Sequence, residues 1–91
     1  MRIRVRFFAT MREAFQAREM DVEIGAGATV AGLLDKLCTS ARKRAELFEG
    51  RELKPFIIIL KNGRHIQHLD GLATGLEDGD VVSIFPAVAG G

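Results

Sequence analysis

One stretch of this chain limits its architecture more than any other. Behind Thr29, the apolar residues Val30, Leu33, Leu34, Leu37 and Cys38 fall at i, i+3, i+4, i+7 and i+8, the stripe of an amphipathic helix opened by an N-cap. The other long apolar segments alternate with polar residues or form short unbroken runs, as strands do. A chain with one good helix and several strands must bury the helical stripe against a sheet, which is a two-layer α+β arrangement. Ninety-one residues leave room for one such core.

The strands follow from period-2 patterning. Ile3, Val5 and Phe7 alternate with Arg2, Arg4 and Arg6, a strand with one buried face, and Phe8 then falls on the arginine side. Thr10, with Glu13 three residues on, predicts a capped short helix through Phe15. Met20, Val22 and Ile24 alternate with Asp21 and Glu23 in a second strand, closed by Gly25-Ala26-Gly27. Thr39–Pro55 is expected to extend the main helix and then run as a solvated loop pinned by Leu47, Phe48 and Leu53, because its charges alternate in sign.

Phe56-Ile57-Ile58-Ile59-Leu60 is apolar at every position, the pattern of a strand covered on both faces. Asn62-Gly63 predicts a hairpin turn, with His65-Ile66-Gln67 as the short return strand. Gly71–Leu76 suggests a loop with one helical turn, Asp78-Gly79-Asp80 another tight turn, and Val81–Phe85 the last strand. The expected fold is a mixed sheet of four to five strands with one main helix packed across it. A central place for the last strand would leave residues 87–91 as a tail beyond a domain of residues 1–86.

Composition excludes several functions. A net charge of +1 argues against a nucleic-acid partner, which calls for a basic surplus on one face. No apolar run approaches the roughly 20 residues of a membrane span, and Arg2 and Arg4 interrupt the first apolar run, unlike a signal peptide. The expected compartment is the cytoplasm. Cys38 is the sole cysteine and His65 and His68 the only histidines, so no metal site is expected. Cys38 belongs to the helical stripe and is expected to pack as a small core residue. His65 and His68, three apart in an extended segment, should point to opposite faces. Glu77, Asp78 and Asp80 are expected as turn residues. Nothing here forms a self-contained catalytic constellation.

Two features carry chemistry. The chain closes Phe85-Pro86-Ala87-Val88-Ala89-Gly90-Gly91. At average glycine usage of about 7 %, a final Gly-Gly arises by chance in roughly one chain in 200. Pro86 should stop the ladder, and the small residues Ala87, Ala89, Gly90 and Gly91 would let the tail, Val88 included, enter a narrow channel. The carboxylate of Gly91, with an ordinary pKa near 3.5, is ionised at neutral pH and can attack the α-phosphate of ATP. The second feature is the sheet face turned away from the helix. Alternation places Phe8 and Phe85 there, with Ile58 and Leu60 if Ile57 and Ile59 point inward. Bordered by Arg4 and Arg6, these residues would form an apolar interface patch.

Arg6-Phe7-Phe8-Ala9, Ala28-Thr29-Val30 and the run from Leu76 through Asp78-Gly79-Asp80 to Pro86 and Gly90-Gly91 resemble the β-grasp, ubiquitin-like sulfur carriers of the MoaD/ThiS family, over nearly the whole chain. The resemblance implies a carrier and not an enzyme, with no bound cofactor and a free form that is monomeric. An E1-like partner would use ATP to adenylate Gly91, and a sulfur donor would convert it to a thiocarboxylate. The acceptor it implies first is the large subunit of molybdopterin synthase, in molybdenum-cofactor biosynthesis. Phe8 and Phe85 match aromatic interface positions of that branch. Ala87 after Pro86, where many molybdopterin carriers have a second proline, and Gly71-Leu72-Ala73-Thr74 look closer to CysO-like carriers for cysteine synthesis. Ubiquitin-like modifiers of the archaeal type share the tail and length, which implies conjugation to lysines as a third outcome.

Overall fold

The computed structural model describes residues 1–87; residues 88–91, and with them the expected tail positions Val88, Ala89, Gly90 and Gly91, lie outside the described residues. The chain runs β1 (Arg2–Phe7), α1 (Thr10–Phe15), β2 (Glu19–Glu23), α2 (Val30–Leu37), α3 (Ala41–Leu47), β3 (Phe48–Glu49), β4 (Glu52–Leu53), β5 (Ile57–Lys61), β6 (Arg64–His65) and β7 (Val81–Pro86), with 3₁₀ turns at Ile66–His68 and Gly71–Ala73. Five strands form one sheet in the order β2-β1-β7-β5-β6, and β3 pairs with β4 separately. The first and last strands lie parallel, while β1–β2 and β5–β7 are antiparallel. With α2 packed across it, this mixed sheet is the β-grasp arrangement.

The alternating residues bury as their period requires. Ile3, Val5 and Phe7 of β1, Val82 and Ile84 of β7, and Ile57 and Ile59 of β5 meet Val30, Leu33, Leu34 and Leu37 of α2 in one core. Thr29 caps α2, its Oγ1 accepting the Gly32 amide at 3.3 Å. Ile58 and Leu60 are only half-buried, so β5 is covered on one face and not on two. It lies between β7 and the two-residue edge strand β6.

Four local expectations change. Thr10 begins α1 but does not cap it; the cap is Ala9, in a left-handed backbone (φ 51°) with no side-chain bond. α2 stops at Leu37, and α3 is a separate helix capped by Ser40, whose Oγ accepts the Lys43 amide at 3.2 Å. Its last residue, Leu47, joins Phe48 in the core, and a hairpin turning through Gly50 (φ 62°) replaces the expected loop. The return strand after Asn62-Gly63 is only Arg64–His65, because the chain enters a 3₁₀ turn at Ile66. Among the described residues no helix is long and apolar enough to cross a membrane.

Candidate functional site

The face of the sheet opposite α2 divides into a charged half and an apolar half. On the β1–β2 side, Arg2, Arg4 and Arg6 stand directly opposite Glu23, Asp21 and Glu19, at 3.0, 3.2 and 3.9 Å. The hydrogen bond to Asp21, with that carboxylate's charge, raises the Arg4 pKa. Arg4 and Arg6 therefore border the apolar half, as expected, but each is matched to an acid across the strand pair.

On the β7–β5 side, Phe8 and Phe85 meet edge to face, with ring centroids 5.7 Å apart. Ile58 lies opposite Phe85 and Leu60 opposite Ser83. All four expected interface residues are half-buried. Phe56, which sequence reasoning did not assign to this face, is the exposed large hydrophobic residue of the described chain, 45 % accessible, with the Lys54 ammonium 5.8 Å from its ring centre. Arg12 was also missed. Its guanidinium lies 5.6 Å from the Phe8 ring centre, and Arg6 lies 5.4 Å from it.

β7 occupies the middle of the sheet, and its end is asymmetric. Ile57 stands opposite Pro86, and the Ala87 amide donates to the Phe56 carbonyl. Pairing to β5 thus continues one residue past the proline, contrary to the expectation that Pro86 stops the ladder. On the other side, the Phe8 amide donates to the Ile84 carbonyl at 3.1 Å. The next donor on that side would come from residue 86, and proline has none. The Phe8 carbonyl accepts instead from Met11, at 3.0 Å, in the first turn of α1. Proline therefore ends only the β1 side of the strand.

Other expected residues serve structure. Burial pushes the Cys38 thiol up from its ordinary value, with Arg44 and Lys43 acting against it. Asp80 is 8 % accessible and takes the Asn62 side-chain amide at 2.9 Å and the Glu77 backbone amide at 2.8 Å. His65 and His68 do not diverge. The 3₁₀ turn brings their rings to 6.0 Å, and His65 Nδ1 accepts the Gln67 amide. Among the described residues no three metal-ligating side chains cluster.

The whole fold and much of the sequence recur in known proteins. The chain is 46 % identical over 92 residues to small archaeal modifier protein 3 of Haloferax volcanii, and each chain is covered completely. The solution structure of the Haloferax volcanii HVO 2177 protein superposes with a TM-score of 0.85 at 44 % identity, covering 100 % of this chain and 87 % of that one. The crystal structure of the Amycolatopsis orientalis BexX/CysO complex contains a chain that matches with a TM-score of 0.76 at 30 % identity, covering 98 % of this chain and 99 % of that one. The ThiS family model matches residues 5–91. The chain belongs to the ThiS family, whose members are small ubiquitin-like carriers and modifiers rather than enzymes.

Proposed function

We propose that this protein is a carrier whose C-terminal carboxylate, on Gly91, is the group that partner enzymes act upon. The observation that supports it most is the position of β7. The strand leading to the tail runs through the middle of the sheet and ends beside the Phe8–Phe85 pair, so one partner can hold the apolar face and receive the tail.

The chemistry requires an E1-like partner that supplies ATP. A Gly91 carboxylate oxygen attacks the α-phosphorus, and pyrophosphate leaves with the electron pair of the broken P–O bond. The resulting acyl-adenylate is a mixed anhydride. Attack by hydrosulfide expels AMP and leaves a thiocarboxylate; attack by a lysine amine, directly or through an enzyme thioester, leaves an amide.

Conjugation to lysines now stands ahead of sulfur delivery to molybdopterin, supported by the 46 % identity to a small archaeal modifier protein. Sulfur delivery is the second reading, supported by the likeness to CysO. Delivery to molybdopterin or to cysteine synthesis would differ only in the acceptor. The two readings separate in a digest of cellular protein. The last lysine or arginine is Arg64, so trypsin would leave residues 65–91 as a branch on each modified lysine. Such branched peptides, lost when Gly91 is deleted, are the expected result. Their absence in cells that accumulate the thiocarboxylate would overturn conjugation in favour of sulfur delivery.

A further inference from the structure

At the end of β1 a shallow cavity of about 270 Å³ is lined by Arg6, Phe7, Phe8, Arg12, Arg18 and Glu19. Three guanidinium-bearing residues share this recess with one carboxylate. Glu19 answers Arg6 at 3.9 Å; among the described residues neither Arg12 nor Arg18 has a carboxylate within ion-pair distance. Arg2 and Arg4, further back on the same strand, are each matched. Along β1 and the segments that flank it, the cations without a carboxylate partner therefore lie at the end that carries Phe8.

Two of these arginine positions are tied to one buried residue. Phe7 is fully buried and stacks on Phe15 at 4.8 Å. Its carbonyl accepts Arg12 Nε at 3.0 Å, and its amide donates to the Arg18 carbonyl at 2.9 Å. With Nε engaged, Arg12 keeps both terminal nitrogens for a second partner. A guanidinium already held in place loses less freedom on binding, and its paired N–H groups match a carboxylate.

We propose that Arg6, Arg12 and Arg18 form a cationic recess that receives an acidic loop of the activating enzyme while Phe8 and Phe85 seat its apolar neighbours. This rests on the activated-carboxylate reading above. The acidic row Glu19, Asp21 and Glu23 runs along the adjacent strand and would repel a continuous polyanion. A single carboxylate beside an apolar side chain fits both the charge surplus and the aromatic rim.

The test measures pyrophosphate exchange into ATP by the cognate activating enzyme as a function of carrier concentration. The wild-type chain is compared with Arg12→Glu/Arg18→Glu and with Arg51→Glu, a control in the β3–β4 turn. The double variant is expected to raise KM for the carrier about tenfold with little change in kcat, and to lose the salt dependence of KM shown by wild type. Arg51→Glu should match wild type. Native unfolding midpoints confirm that each variant is folded. Unchanged KM in the folded double variant, with wild type active, overturns the recess while leaving the carrier reading intact. No exchange with wild type overturns both. Shifts of the arginine Nε–H signals on adding inorganic phosphate at constant ionic strength would assign the recess to a free anion and also overturn the proposal.

Discussion

The rings of Phe8 and Phe85 meet edge to face across the parallel pairing of the first and last strands, at 5.7 Å and 82°. They stand 77 residues apart in the chain, yet together they close the end of the sheet from which the tail departs. Both rings are half-buried, so truncating either to alanine should cost about 1–2 kcal/mol of stability. Their geometry adds a coupling of about 0.5–1.5 kcal/mol. A double-mutant cycle in urea should show that coupling; strictly additive losses would mean the rings do not stabilise one another.

Asp80 ties two turns together. Burial alone would raise its carboxyl, but the hydrogen bonds from Asn62 and the Glu77 amide, with the Lys61 charge, outweigh burial and hold it below the ordinary 3.8. A carboxyl depressed in the folded state contributes stability that is full above its unfolded value and lost as pH falls through the folded one. Asp80→Asn should therefore cost about 1–2 kcal/mol at neutral pH and flatten the loss of stability below about pH 4. Unfolding curves from neutral pH to pH 2 that run parallel for the two proteins would contradict this.

Ala9 adopts φ 51° and ψ −132°, a backbone that an L side chain resists. Glycine has no Cβ to clash, so Ala9→Gly should stabilise the domain by about 1 kcal/mol despite its greater freedom when unfolded. Valine at the same position should destabilise it. A thermal midpoint lowered by glycine would show that the turn is not strained.

Cys38 is half-buried at the C-cap of α2, and burial raises its pKa. Its thiol should alkylate with iodoacetamide at neutral pH several-fold more slowly in the folded chain than in urea. Equal rates would mean that the thiol is open to solvent as a thiolate.

Local periodicity made most of the sheet legible. The inward placement of Ile57 and Ile59, the Asn62-Gly63 turn and the Thr29 cap follow from neighbours in sequence, and the structure keeps them. Departures arose where distant contacts decide. Leu47 and Phe48 pin their segment to the core as expected, but they do so from a separate helix and hairpin and not from a helix extension and loop. Ser40 was a readable cap signal, but the unbroken charge pattern concealed the separate helix behind it. The match of Arg2, Arg4 and Arg6 to β2 acids depends on register, and the place of Arg12 beside Phe8 on the turn at Ala9. His65 and His68 meet because a 3₁₀ turn replaces an extended strand.

The most direct measurement is the intact mass of the chain after incubation with its activating enzyme, ATP and sulfide, beside a chain lacking Gly91. Wild type is expected to gain the mass difference between sulfur and oxygen, while the shortened chain stays folded and gains nothing. An unchanged wild-type mass, or an equal gain in both chains, would contradict the claim that the Gly91 carboxylate is the reactive group.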